Sequence, residues 1–223
     1  MRHGLVSWAF NLAYRAVNRV ATLMILKVEV VTMDTVNKDL LNEHNDGWRF
    51  LSPTEVRQFS EADTSLGLNE KFLSEACDRG SRCYALVKAN RVVSYGWYSR
   101  VPTRISHRAT AHFDQNYRYF FKAFTSPEFR GLRLHGTGLA RALKIFTEEE
   151  GIKGIIYYVE AHNQSPLKAR KRIGSRAAGT AIVVGIGDAC TSYASPGCRT
   201  LQFRVQIGNS PIKPPERTQE IRN

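Results

Sequence analysis

The sequence has no long hydrophobic run and few cysteines. No stretch of 18 apolar residues occurs in the 223-residue chain, so the sequence predicts no membrane-spanning helix. The four cysteines, Cys77, Cys83, Cys190 and Cys198, form no Cys-x-x-Cys pair and have no histidine at metal-ligand spacing. We therefore predict no metal site, and we interpret the cysteines as reduced, buried thiols of a cytoplasmic protein.

Two common nucleotide-binding signatures are also absent. The chain has no Gly-x-x-x-x-Gly-Lys-Ser/Thr segment, which argues against a P-loop nucleotidase. Its one glycine-rich loop, at 131–138, does not have the Gly-x-Gly-x-x-Gly spacing of a dinucleotide fingerprint. A phosphate site in this chain must therefore have another form.

Acidic residues are outnumbered by basic ones. The chain has 20 Asp and Glu against 32 Lys and Arg, which gives a net charge of +12 and a pI near 9.8. Much of the excess is local, because residues 101–176 carry 14 Lys and Arg against 6 Asp and Glu. This excess predicts an anionic partner: a phosphate-bearing small molecule, nucleic acid or an anionic membrane surface.

One segment has the order strand, loop, helix. Tyr117–Phe124 is aromatic and apolar, which favours a strand, and Leu139, Leu143 and Phe146 recur at helical spacing. The loop between them contains glycines, which let the backbone approach an anion, and arginines, which add positive charge. A helix N-terminus adds unpaired N–H groups. The segment therefore predicts a phosphate-binding site.

This loop resembles the pyrophosphate loop of the GNAT superfamily of acyl-CoA-dependent N-acetyltransferases. The family pattern is Arg/Gln-x-x-Gly-x-Gly/Ala, usually preceded by Pro-x-Tyr-Arg-Gly, and Pro127-Glu-Phe-Arg-Gly131 is similar to that preceding element. Two registers are open. Counted from Arg133, the pattern is met by Gly136 and Gly138; counted from Arg130, Arg133 and His135 stand where glycines are usual.

A second block strengthens the resemblance. Gly154–Ala161 has the composition of a buried strand, and it leads through Asn163 to Gly174 with the spacing of the next GNAT segment. Two positions depart from the family. Arg170 stands where many members have a tyrosine that protonates the leaving thiolate, and Ser175 replaces an aromatic residue. The resemblance spans residues 48–206 and is strongest over 117–175.

The resemblance implies a fold, a co-substrate and a set of binding residues. The implied fold is α/β (α+β), with a mixed, strongly twisted central sheet flanked by helices and two parallel strands that open like a V. Acetyl-CoA is the implied co-substrate, and a backbone N–H near Phe124 or Thr125 is expected to hold the oxyanion. The residues implied in binding coenzyme A (CoA) are Phe124, Thr125, Arg130, Gly131, Arg133, Leu134, His135, Gly136, Thr137, Gly138, Asn163 and Lys168.

The expected catalytic residues follow the second strand. Tyr158, Glu160 and His162 alternate and should share one strand face. Glu160 and His162 are the candidate bases; the competing interpretation is that Glu160 pairs with a neighbouring strand or an arginine and that His162 is a solvated loop residue. Because Arg170 occupies the usual acid position, thiolate departure is expected to rely on solvent or on Tyr158.

The N-terminal region is expected to lie outside the catalytic domain. We divide the chain into a helical extension and linker at 1–47, a GNAT-like domain at 48–208 and a disordered tail at 209–223. Residues 5–26 predict an amphipathic helix on which Arg15 and Arg19 share a side. Its apolar face must be covered by the domain, by a second subunit or by an anionic membrane contacted through residues 1–27.

The remaining segments give local predictions. Ser52 is expected to cap one helix and residues 69–77 to form another, and a hairpin should span 83–98. We interpret residues 101–116 as a solvated connector or as a loop near the acceptor. Strands at 177–186 and 200–206 are expected to close the sheet.

Three functions remain open from the sequence. The first is transfer of an acetyl or other acyl group from CoA to a primary amine, with an amino sugar or envelope precursor as acceptor. The second is an acyl carrier protein-dependent N-acyltransferase of the same fold, for which a basic surface suits an acidic carrier. The third is a nucleic-acid-binding protein, which the absence of a recognised motif disfavours. The expected location is the cytoplasm or the inner membrane face.

Overall fold

The computed structural model describes residues 5–42, 46–163, 170–187 and 189–208. The helices are α1 Leu5–Val20, α2 Asp39–Asn42, α3 Pro53–Ala62, α4 Glu70–Asp78, α5 Leu134–Glu150 and α6 Pro196–Thr200. Residues 170–173 are also helical. The strands are β1 Thr22–Val31, β2 Trp48–Leu51, β3 Arg82–Lys88, β4 Arg91–Ser99, β5 Thr103–Ser106, β6 Ala109–His112, β7 Tyr117–Thr125, β8 Gly154–Glu160, β9 Arg176–Ile186, β10 Ala189–Ala194 and β11 Arg204–Ile207.

The strands form two sheets. The main sheet has eight strands in the order β10-β9-β1-β8-β7-β4-β3-β2, and a smaller sheet has the order β11-β6-β5. The β7–β8 pair is parallel, and the other strand pairs within the described residues are antiparallel. The expected mixed α/β fold with a central sheet flanked by helices is confirmed.

The predicted boundary between extension and domain at residue 47 is wrong. The first helix ends at Val20 rather than continuing to residue 26, and β1 pairs with β8 on one side and β9 on the other. Leu26 and Glu29, on opposite faces of β1, are both completely buried. A strand buried on both faces has a continuous apolar sequence, which is hard to distinguish from a helix by pattern alone. The tail at 209–223 lies outside the described residues.

Each face of the main sheet has its own core. On one side, which we call the α5 face, Leu139, Leu143 and Phe146 of α5 pack on Ile155, Tyr157 and Val159 of β8. On the opposite side, which we call the second-sheet face, Tyr119 and Ile156 pack on Ala109, Ala111, Phe203 and Val205. The inward positions predicted for α5 are confirmed.

The smaller sheet corrects two predictions. Residues 101–116 are not a connector, because β5 and β6 form a hairpin there. The last strand does not close the main sheet, since β11 pairs with β6. The small side chains of Ala109 and Ala111 are buried against the main sheet and allow the two sheets to approach closely.

Several local predictions are confirmed. The Ser52 hydroxyl accepts a hydrogen bond from Glu55 N–H at 3.2 Å, and the Glu55 carboxylate accepts one from Ser52 N–H at 2.8 Å. This reciprocal capping box begins α3. Asn69 caps α4 through its side-chain oxygen, and β3 and β4 form the predicted hairpin. The four cysteines are free thiols, with Cys83 and Cys198 buried.

Candidate active site

A wedge-shaped gap opens between the two parallel strands. β7 and β8 pair at only three positions, which end at Tyr119 opposite Ile156. Beyond them β7 continues to Thr125 along β4, while β8 continues to Glu160 along β1. The β4–β7 register shifts at Phe121, and such a bulge bends and twists the bulged strand. The expected V between parallel strands is therefore present.

The open edge of β7 presents a backbone N–H at Thr125. Ser126 N–H donates to Val93 O at 2.9 Å, and the Ser94 hydroxyl donates to Phe124 O, so the polar groups of residues 124 and 126 point toward β4. Backbone groups alternate along a strand, which directs those of Thr125 to the gap. Of the two residues predicted for the oxyanion, Thr125 has the suitable direction. Phe124 instead stacks its ring on Tyr95 at 5.5 Å.

The N-terminus of α5 leaves N–H groups available to an anion. The helix begins at Leu134, after Arg133 in a left-handed conformation, and no side chain caps it. The N–H of Thr137 donates to Arg133 O at 3.0 Å, so the N–H groups of Leu134, His135 and Gly136 precede the helical hydrogen-bond ladder. Arg130 and Arg133 are exposed beside them. The predicted strand–loop–helix phosphate site has the expected geometry.

A cavity of about 160 Å³ lies at this helix terminus. Arg133 and Arg172 contribute positive charge, and the polar N–H end of α5 forms one wall. The full lining is Leu40, Gly131, Arg133, His135, Gly136, Arg172 and Ile173. Arg172 is brought here by the helical turn 170–173, which packs on α5 through Ile173.

The structure corrects the role assigned to two of the glycines. Gly136 and Gly138 lie within α5, and both are buried. A Cβ atom at Gly138 would lie 2.5 Å from the ring of Trp48, and one at Gly136 would lie 3.3 Å from Leu40 and Ile173. Their small size serves close packing of α5, and Gly136 also lines the cavity.

Two further predicted binding residues have buried side chains. Leu134 packs with Leu86 and Val93. The Thr137 hydroxyl donates to Arg133 O at 3.3 Å, inside the helix. Neither side chain lines the cavity, and Leu134 offers its backbone N–H instead.

His135 connects the helix terminus to the gap. Its ring lies 5.4 Å from the ring of Phe120, which is the first β7 residue beyond the paired stretch. Burial lowers the pKa of His135 below its ordinary value, so the ring is neutral at neutral pH.

The predicted catalytic residues lie together on the second-sheet face. Glu160 Oε2 is 3.2 Å from His162 Nδ1, at ion-pair distance but without hydrogen-bond geometry. Tyr158 shares this strand face, and its pKa is raised to about 12 by burial and then by the nearby Glu160 and Tyr14. His162 lies in the turn after β8 with 37% of its side chain exposed, and it contacts Glu160.

Tyr14 of α1 completes this cluster, and no local pattern in the sequence predicts its place there. Its hydroxyl donates to Glu160 Oε2 at 3.5 Å, and its ring lies 4.7 Å from that of His162. Burial, followed by the charge of Glu160, raises the pKa of Tyr14. The residues are 146 positions apart, so only the three-dimensional fold brings them together.

A different polar cluster lies on the α5 face. Arg170 Nη1 contacts Glu29 Oε1 at 2.8 Å, and the Tyr157 hydroxyl donates to Ser175 Oγ at 2.6 Å. Burial raises the pKa of Tyr157 to about 12. The hydroxyl that accompanies Arg170 on the α5 face is thus Tyr157 and not Tyr158, which projects from the opposite face.

Of the two remaining predicted binding residues, the structure describes only Asn163. Asn163 N–H donates to Glu160 O at 2.8 Å and closes the turn after β8. Lys168 lies outside the described residues.

No protein family model matches the chain, and no curated protein matches it by sequence. Similar solved structures include a GNAT-family acetyltransferase from Colwellia psychrerythraea, with 17% identity and a TM-score of 0.49 over 78% of this chain and 61% of that one. A GCN5-related N-acetyltransferase-like protein from Streptococcus suis has 12% identity and a TM-score of 0.48 over 80% and 67% of the two chains.

The aminoglycoside N-acetyltransferase AAC(6')-Iy in complex with CoA has 14% identity and a TM-score of 0.41, over 57% of this chain and 89% of that one. This chain spans about three fifths of the length of the Colwellia protein. At these identities the likeness is one of fold. The three structures are acetyltransferases or acetyltransferase-like proteins of the family that the loop at 127–138 resembles.

Proposed function

We propose that this protein transfers an acetyl group from acetyl-CoA to a primary amine by direct attack. The observation that carries the proposal is the gap between β7 and β8, which lies beside the uncapped N-terminus of α5. An extended pantetheine arm needs an open strand edge, and a pyrophosphate needs clustered N–H groups and positive charge. Both requirements are met within one continuous segment, 117–138.

The two substrates would approach from opposite faces of the sheet. The pyrophosphate of acetyl-CoA fits the N–H groups of Leu134, His135 and Gly136, with Arg133 and Arg172 as counter-charges. These groups adjoin the α5 face. The titratable cluster of Glu160, His162 and Tyr14 lies on the second-sheet face, which leaves that side to the amine.

The proposed reaction begins with deprotonation of the acceptor. The ammonium form has no lone pair for attack, so Glu160 accepts its proton either directly or through His162. The amine nitrogen then bonds to the thioester carbonyl carbon, and the Thr125 N–H stabilises the negative charge on the oxygen. The carbon–sulfur bond breaks, the nitrogen loses its second proton to solvent as the amide forms, and the thiolate leaves and takes up a proton.

The leaving thiolate is assigned to the α5 face. Arg170 places a positive charge there, and Tyr157 with Ser175 supplies a pair of hydroxyl groups. Because its pKa is about 12, Tyr157 stays protonated at neutral pH and can donate a proton. The proposal therefore assigns the acid role to Tyr157 in place of the expected Tyr158.

The acceptor is proposed to be an amino sugar or an envelope precursor that carries a primary amine. An acyl carrier protein in place of CoA is the alternative donor, because it presents the same pantetheine arm. The cavity at the α5 terminus favours CoA, which brings a pyrophosphate where a carrier brings a single phosphodiester.

The test is an acetyl-transfer assay that follows release of the free thiol of CoA across a panel of amines. We expect turnover with acetyl-CoA and a loss of at least about 100-fold in Glu160→Gln. Glu61→Gln, an exposed carboxylate at the end of α3, is the matched control and should retain parental activity. Turnover that is equal in both variants would remove Glu160 from the reaction, and failure of CoA to bind in calorimetry would reject the proposal.

A further inference from the structure

The second half of helix α1, residues 12–20, turns its apolar side away from the protein. Within residues 12–20 only Tyr14 is buried. Leu12 is 55% exposed and Val20 is 77% exposed, and Val17 is exposed as well. In a surface helix of a globular protein the apolar stripe faces the core, so this arrangement is inverted.

Polar groups hold α1 in this orientation. The hydroxyl of Tyr14 reaches Glu160, and its ring packs on His162. The Asn18 amide donates to Leu23 O at 3.1 Å, and its oxygen accepts from Leu23 N–H at 3.0 Å. These bonds fix the turn from α1 into β1. The side opposite to Tyr14 and Asn18 therefore remains free of the domain.

The exposed side is a continuous apolar arc. At 100° per residue, its members span about 140° of the helix circumference, wider than the stripe that a globular core requires. They are Leu12, Ala13, Ala16, Val17 and Val20, all exposed. The arc is as wide as an apolar face that packs on protein, but no described part of the chain covers it.

A second exposed apolar patch lies on β9, the neighbour of β1 in the main sheet. Thr22, at the start of β1, pairs with Gly185 of β9, which places the end of α1 beside that strand. Val184 and Ile186 are on one face of β9, and Ile186 is 71% exposed. Because Ala181 and Val183 of β9 are buried in the second-sheet core, Val184 and Ile186 lie on the opposite face of the sheet and are separate from the α1 arc.

The charges next to the arc indicate which kind of surface covers it. Arg15 and Arg19 are exposed along one border of the arc, and no ion-pair partner for either is found among the described residues. The sequence of α1, LVSWAFNLAYRAVNRV, contains no acidic residue. Two copies of the chain packed through α1 would bring these arginines together without a carboxylate on either helix. An anionic surface complements them.

We propose that α1 lies on an anionic phospholipid surface, with its apolar arc inserted at the boundary between head groups and acyl chains and with Arg15 and Arg19 on the phosphates. No helix in the described ranges is both long and apolar enough to cross a bilayer, which fits a helix lying in the interface plane. Because Tyr14 contacts Glu160 and His162, the lipid surface would adjoin the acceptor side of the proposed active site.

The experiment is sedimentation of the full chain with phosphatidylcholine vesicles, with and without phosphatidylglycerol, at low and high salt. We expect the protein in the pellet only with the anionic vesicles, and less of it at high salt. Arg15→Gln/Arg19→Gln should weaken binding about 30-fold. Arg104→Gln/Arg204→Gln removes the same charge from exposed positions in the smaller sheet and should bind like the parent.

A second variant tests the apolar contribution. Leu12→Ser/Val17→Ser/Val20→Ser changes only exposed side chains, so its melting temperature should match that of the parent while vesicle binding is lost. Full-length protein that stays in the supernatant with anionic vesicles at low salt would overturn the proposal. A dimer of the parent that this triple variant dissociates would also overturn it, in favour of a second copy. Neither outcome depends on catalysis, so the proposed function is tested separately.

Discussion

Arg170 Nη1 lies 2.8 Å from Oε1 of Glu29, whose carboxylate is completely shielded from solvent. The two residues are 141 positions apart, in the helical turn 170–173 and the central strand β1. Glu29 Oε2 has no hydrogen-bond partner among the described residues, so the guanidinium is the group that offsets the cost of burying this charge. The pair therefore fixes the turn that also carries Arg172 to the phosphate cavity.

Removal of Arg170 should destabilise the protein by leaving Glu29 buried and unpaired. We expect Arg170→Met to lower the free energy of unfolding by about 2–3 kcal/mol, less than for a fully buried pair because the Arg170 side chain is 35% exposed. Urea unfolding monitored by circular dichroism gives the measurement. Arg170→Lys keeps the charge and should lose less.

A double variant separates this ion pair from simple loss of packing. Glu29→Gln/Arg170→Met should be more stable than Arg170→Met alone, because the buried charge is gone. Additive losses in the two single variants would show that the residues do not interact.

Substitutions of Gly138 in α5 and of Arg133, which precedes the helix, should separate effects on stability from effects on CoA binding. Gly138→Ala places a Cβ atom 2.5 Å from Trp48, and we expect a loss of about 1–3 kcal/mol that outweighs the gain in helix propensity. Arg133→Gln should keep the melting temperature and weaken CoA binding about tenfold. Thermal unfolding and calorimetry distinguish the two. A weaker CoA affinity in Gly138→Ala, with unchanged stability, would restore the glycine-loop interpretation.

The order strand, loop, helix around residues 117–146 could be predicted because its signals are local. Aromatic residues favour β7, and Leu139, Leu143 and Phe146 recur at the helical period. The capping box at Ser52 is a pattern of the same local kind. The roles of Gly136 and Gly138 could not be predicted, since small size serves a turn, an anion or a close helix contact equally well. Only the position of Trp48 decides among them.

Relationships across the sheet were not predictable from the sequence. Strand β1 could not be predicted in full, because the sequence predicts a helix through residue 26 where the apolar residues fit both the helical and the strand period. Its place between β8 and β9 depends on strand pairing, which sequence spacing does not specify. The contacts of Glu29 with Arg170 and of Tyr14 with Glu160 follow from that pairing. The sequence therefore predicted the strand, loop and helix of the proposed phosphate site more completely than the contacts of the proposed proton-transfer groups.

Acidification should destabilise the protein through two partly buried histidines, His135 and His112. Burial lowers the pKa of both His135 and His112 below the ordinary value of 6.5. As the pH falls below that value, the unfolded chain binds protons that the folded state does not, so the free energy of unfolding decreases. From about pH 7.5 to about pH 5.5, we expect His135→Gln to reduce this slope, by at most ~1.4 kcal/mol per pH unit.

The control for this pH dependence is the exposed His107. His107→Gln should leave the slope unchanged, and His112→Gln should reduce it independently of His135. Denaturant unfolding across the pH series provides the measurement. A slope in His135→Gln equal to that of the parent would mean that His135 titrates alike in both states.

The two adjacent tyrosines of β8 should differ in their effect on the leaving group. The Tyr157 hydroxyl lies on the α5 face with Ser175 and Arg170, whereas Tyr158 projects from the opposite face beside Glu160. If Tyr157 protonates the departing thiolate, Tyr157→Phe should lower turnover about tenfold or more. CoA affinity should stay within about twofold, because no charge or backbone N–H is lost.

A change of donor gives the decisive measurement for this prediction. A thioester of a more acidic thiol releases a thiolate that needs no proton, so the defect of Tyr157→Phe should shrink with such a donor. Tyr158→Phe is the matched control, because any defect on the acceptor side should be the same with both donors. Ser175→Ala, which removes the partner of Tyr157, should show the same dependence on the donor in weaker form. If only Tyr158→Phe is sensitive to the leaving thiol, the acid lies on the second-sheet face and the assignment of the two faces is reversed.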